Sequence, residues 1–167
     1  YDGGETSGEA NIDFNFTQVN STPGGDVNSY LLTFNYSENG GTTSNAENEY
    51  INEGTVVNLE GKTATKQGYT FVGWNTDKDA QTGLSTTTMT ANTTLYAIFK
   101  KDITITFDKD SGVSEIGRQN DTCTIYNKAT SCNKQLPSIT LTNPNLSEVL
   151  GWYDNDTKVG DAGDTYA

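Results

Sequence analysis

Apolar residues along this chain recur at every second position in short runs, and polar turns separate the runs. In Ile12-Asp13-Phe14-Asn15-Phe16-Thr17-Gln18-Val19 the residues Ile12, Phe14 and Phe16 share one face of an extended segment. In Gly68-Tyr69-Thr70-Phe71-Val72-Gly73-Trp74, strict alternation puts Tyr69, Phe71 and Gly73 on one face. Thr70, Val72 and Trp74 then take the other. Thr94-Leu95-Tyr96-Ala97-Ile98-Phe99 answers this run, with Leu95, Ala97 and Phe99 pointing one way and Tyr96 and Ile98 the other. Both runs are apolar on two faces, as central strands of a covered sheet must be. Their expected core members are Tyr69, Phe71, Trp74, Leu95 and Phe99, joined further along by Phe107 and Trp152.

In chain order, residues 1–11 read as a flexible lead-in, and Pro23-Gly24-Gly25-Asp26 is a strong turn signal. Strand 12–19 therefore stands alone. Tyr30-Leu31-Leu32-Thr33-Phe34-Asn35-Tyr36 opens a unit that breaks at Ser37-Glu38-Asn39-Gly40-Gly41. A weaker strand centres on Val56-Val57, while residues 84–89 fit either a short strand or one helical turn. Lys100-Lys101 marks a boundary. Ile103-Thr104-Ile105-Thr106-Phe107 then opens a further unit, broken at Asp108-Lys109-Asp110-Ser111-Gly112. Cys123-Thr124-Ile125-Tyr126, Ile139-Thr140-Leu141 and Val149-Leu150-Gly151-Trp152-Tyr153 follow as strands. Landmarks recur in the same order with a period of about 75 residues, an internal repeat.

Leu32-Thr33-Phe34, then Gly-Gly, then the Gly68 to Trp74 run, then Leu95-Tyr96-Ala97, closely resemble the Listeria–Bacteroides repeat, the B-repeat of internalins. Residues 30–101 carry the match. Residues 102–167 resemble it through Ile103 to Phe107, Gly151-Trp152-Tyr153 and the loop Gly160-Asp161-Ala162-Gly163-Asp164-Thr165-Tyr166. The resemblance implies tandem small β-grasp-like (ubiquitin-like) modules of a bacterial surface protein, with no catalytic residues to carry over. The expected fold class is mainly β, with an extra N-terminal strand. Three parts are expected: an N-terminal segment 1–29, a first module 30–101, and a divergent second module 102–167. The second departs from the family in its two cysteines and in stopping before a closing strand.

Composition sharpens this picture. Only 32% of the 167 residues are apolar, so each module has a thin core and modest stability. The net charge of −12, with ten basic residues and no histidine, excludes a nucleic-acid binder and disfavours anionic membrane surfaces. No apolar run approaches the roughly eighteen residues of a membrane helix. Tyr1 opens no signal peptide, and the chain reads as a mature or trimmed segment. Cys123 and Cys132, with no other thiol or histidine to complete a metal site, are expected to form a local disulfide in an oxidising compartment.

Candidate chemistry is sparse. Trp74 and Trp152 suit either sugar-stacking platforms or core packing, and core packing fits their place inside strand motifs. Asp108, Asp110 and Glu115 imitate a calcium loop until glycine falls at the fifth position. Asp154, Asp156, Asp161 and Asp164 fail similarly at Lys158. Leu136-Pro137-Ser138-Ile139-Thr140 lacks the order of a sortase signal, and the many Asn-x-Ser/Thr sequons follow from composition. No cofactor or metal is expected, and no glycosidase-type carboxylate pair stands in a recognisable site. The reading is a non-enzymatic extracellular module with a structural or adhesive role. Its rivals are a filament subunit that donates Ile12, Phe14 and Phe16 to a neighbour, and a glycan-binding accessory module. Partners are then another protein or a second copy, with no nucleic acid and no membrane insertion. A glycan has no further support in the sequence.

Overall fold

The computed structural model describes residues 27–143 and 151–166. The proposed donor residues Ile12, Phe14 and Phe16 lie outside that range, as do Val149 and Leu150. The architecture is mainly β, and no helix occurs among the described residues.

The first half contributes β1 (Ser29–Asn35), β2 (Thr43–Ser44), β3 (Glu49–Asn52), β4 (Val56–Asn58), β5 (Ala64–Thr65), β6 (Thr70–Asn75) and β7 (Thr86–Thr88). The sequence left residues 84–89 open between strand and helix; β7 makes Thr86–Thr88 strand. β8 (Thr93–Thr106) then runs for 14 residues. The lysines at the expected boundary, Lys100-Lys101, sit within this uninterrupted strand. Both are laddered: Lys100 opposes Thr70, and β10 (Asn120–Tyr126) pairs with residues 100–106. Around it lie β9 (Val113–Ile116), β11 (Lys134–Gln135), β12 (Ile139–Leu141), β13 (Trp152–Asp154), β14 (Thr157–Gly160) and β15 (Thr165–Tyr166).

Pairings follow one order twice. In the first half β1 pairs antiparallel with β3, β2 with β5, and β4 with β7. In the second, the end of β8 pairs with β10, β9 with β12, and β11 with β15. Trp74 bridges to Leu84, and Trp152 correspondingly opposes Gly160. Two pairings have no counterpart. The beginning of β8 lies between β1, to which it is parallel, and β6, to which it is antiparallel. No strand among the described residues lies in that way between the end of β8 and β13.

Two cores result. Leu32, Phe34, Leu59, Ala64, Trp74, Met89, Leu95, Ala97 and Phe99 form the first, with Tyr69 and Phe71 packed against it. Phe107, Leu136 and Trp152 form the second, flanked by Ile105, Ile116, Ile139, Val159 and Tyr166. Strict alternation separates Phe71 from Trp74, yet both rings meet in the first core, 5.6 Å apart. A bulge at Val72 is the reason, since Phe71 opposes Phe99 while the next pair is Gly73 with Ile98. The extra residue turns Trp74 onto the face of Phe71. Gly73 makes the bulge possible: its φ is 150°, and an added Cβ would lie 2.7 Å from the Cα of Gly83.

Candidate functional site

Along one edge of β8, β1 pairs with residues 93–96 and β10 with residues 100–106. Between their ends a stretch of strand edge has no ladder partner, and buried backbone groups cannot be left unpaired without cost. Two buried asparagines fill the gap. Asn39, 2% exposed, donates its amide to the carbonyls of Ala97 and Lys78, both at 2.9 Å. Asn127, 5% exposed, donates its backbone N–H to the Phe99 carbonyl at 2.8 Å, and its Oδ1 accepts from the Phe99 N–H at 3.0 Å. One residue thus imitates a strand pair.

Asn127 does more than complete the ladder. Its Nδ2 donates to the carbonyls of Lys78 and Ala80 at 3.0 and 3.1 Å, drawing that loop of the first half over the junction. The ammonium of Lys66 donates to its carbonyl. Beside it, Lys128 pairs with Glu38 at 3.1 Å. Burial, and then the nearby Lys128 charge, hold Lys66 below the usual lysine range. Asn127 adopts φ 53°, a conformation asparagine tolerates better than most residues. Every polar group of this residue is therefore spent on holding the second half to the first.

The disulfide belongs to the same place. Cys123 and Cys132 are bonded, with Cα atoms 6.0 Å apart, and the ring they close contains Asn127 and Lys128. A closed loop of about ten residues contributes on the order of 2–3 kcal/mol by limiting the unfolded chain. Here the staple also restricts the turn that clamps the junction.

The tryptophans are interior. Trp74 is 1% exposed, and its Nε1–H donates to the Lys62 carbonyl at 2.8 Å. Trp152 is 8% exposed and donates likewise to the Pro137 carbonyl at 3.0 Å. Each meets a phenylalanine edge to face: Phe34 at 4.9 Å for Trp74, Phe107 at 5.2 Å for Trp152. At 1% and 8% exposure both rings are packing elements rather than exposed platforms for a sugar. The second acidic loop holds itself together instead: Lys158 pairs with Asp161 at 2.9 Å, and Asp164 accepts the Asp161 N–H. Among the described residues no three His, Cys, Asp or Glu side chains gather as a metal site, and no helix is long and apolar enough to cross a membrane.

A groove of about 270 Å³ opens beside the second core, floored by Phe107, Leu136 and Trp152 and walled by Ile105 and Tyr153. Nothing in the residue pattern marks the junction directly. Asn39 and Asn127 look like ordinary turn asparagines there, and only the Tyr-Asn-Lys end of a strand inside the cysteine ring marks Asn127.

Small paired strands in a fixed order around a tryptophan define a β module of repeat type. Residues 30–98 match the family model of the Listeria-Bacteroides repeat domain. Against curated proteins and solved structures the chain has no match.

Proposed function

We propose that the chain is a non-enzymatic structural segment of a bacterial surface protein, in which two tandem β-grasp-like repeats are joined as one stiff spacer. The family of residues 30–98 supports a bacterial surface module. The recurring order of pairings supports a second, divergent repeat in the remaining chain. The observation that carries the spacer role is the junction. Flexible linkers let neighbouring modules reorient, whereas here one strand of 14 residues serves both halves. The gap along its edge is closed by Asn39 and Asn127 rather than left to water. A rod of this kind holds whatever it carries at a fixed distance from its anchor. The buried tryptophans give the glycan-module reading no platform.

Display at the surface is directly testable. Antibodies raised against residues 27–166 should label intact, unpermeabilised cells of the source bacterium. Labelling that requires permeabilisation would contradict the assignment.

A further inference from the structure

We propose that the groove between the end of β8 and β13 is an acceptor for an extended strand, and that residues 12–19 of a second copy of the chain occupy it. The inference rests on the equivalence of the two halves and not on the spacer role. In the first half the matching space is filled by the beginning of β8, whose Leu95, Ala97 and Phe99 are fully buried. Its walls are β1 and β6, meeting through Phe34 and Trp74. In the second half Phe107 and Trp152 meet in the same edge-to-face way, at 5.2 Å and 68°. Among the described residues no strand fills the space between theirs, and Ile105, Val159 and Tyr166 flank the core only half-buried.

The backbone is open there too. β6 reaches Lys100 on the edge of β8 opposite β10. Beyond it, residues 101–106 present that edge with no partner strand among the described residues. An extended segment laid there gains ladder hydrogen bonds from its main chain and burial from alternate side chains. Ile12, Phe14 and Phe16 alternate as Leu95, Ala97 and Phe99 do. Larger residues suit the thinner second core, which buries three apolar side chains where the first buries nine.

Chain length decides between the same copy and another. By analogy with Phe34 and Leu95, the added strand runs parallel to the end of β8. Residue 19 then leaves the groove beyond Phe107, at the end far from Ser29. Ser29 lies beyond Leu32, which pairs with Thr93 at the other end of β8. From Thr93 to Thr106 the strand spans about 43 Å at ~3.3 Å per residue. The ten steps from residue 19 to residue 29 reach at most about 35 Å. Residues 12–19 of a copy cannot reach that copy's own groove, so this donor comes from a neighbour. The contact is head-to-tail and leaves each acceptor's own donor free, which generates a filament.

The test is sedimentation of the full chain against Phe14→Asp/Phe16→Asp, substitutions outside both described cores. The wild-type mass should rise with concentration, and the variant should associate at least about a hundredfold more weakly. A synthetic peptide of residues 11–20 should block wild-type assembly and shift the amide resonances of Ile105, Phe107 and Tyr153. A wild type that stays monomeric, or a variant that assembles equally well, would overturn the proposal. So would a peptide of residues 93–99 that fills the groove where the 11–20 peptide does not. A rigid chain that never self-associates would defeat this inference and leave the spacer reading standing.

Discussion

Trp74→Ala should cost about 3–5 kcal/mol, a large part of the ~5–15 kcal/mol that holds a domain of this size folded. The ring is buried against Phe34 and Phe71, so its removal leaves a cavity between two edge-to-face contacts. Truncation also strands the Lys62 carbonyl, which now accepts from Nε1. Trp74 opposes Ala97 on β8, and the same strand continues into the second half. The damage should therefore travel. With Trp74 gone, Trp152 is the only remaining tryptophan, and its fluorescence reports the second core alone. That signal should melt well below its wild-type midpoint. A variant melting within a degree or two of wild type would mean that Trp74 is not a core residue.

Asn127→Ala should cost about 2–4 kcal/mol, because it orphans several buried groups at once. The Phe99 N–H loses its acceptor, and the Lys78 and Ala80 carbonyls lose their donor. Alanine must also hold φ near 53°, which costs roughly 1–2 kcal/mol for an ordinary L-residue. Asn127→Gly removes the same side chain but accepts that backbone, and should be the milder variant by about 1 kcal/mol. Amide hydrogen exchange locates the effect. Phe99 should lose protection in both variants while the amides of β3 keep theirs. Unchanged stability with a protected Phe99 amide would remove Asn127 from the junction.

Much of the fold was legible because side-chain alternation reports burial directly. The Tyr69 to Trp74 run, its answer at Leu95 to Phe99, and the cysteine pair all stood out in a polar chain. The bulge at Val72 was not legible. It depends on Gly73 pressing against Gly83, a contact between backbones that leaves only two glycines in the sequence. Lys100-Lys101 hid the continuity of β8, because paired lysines usually mark solvent. In β8 they are rungs of one continuous sheet, Lys100 half-buried and Lys101 exposed. The junction was hidden for another reason. Asn39 and Asn127 bind carbonyls and amides 28 to 58 residues away, and no local pattern announces a backbone partner.

Residual dipolar couplings measured on the weakly aligned chain test the stiff junction most directly. Amides of β1, β3 and β6 define one alignment frame, and those of β9, β12 and β13 define another. If β8 and Asn127 make a single rod, one tensor of one magnitude fits both sets. Two tensors, with the second half aligned more weakly, would show that the halves move independently and would contradict the account.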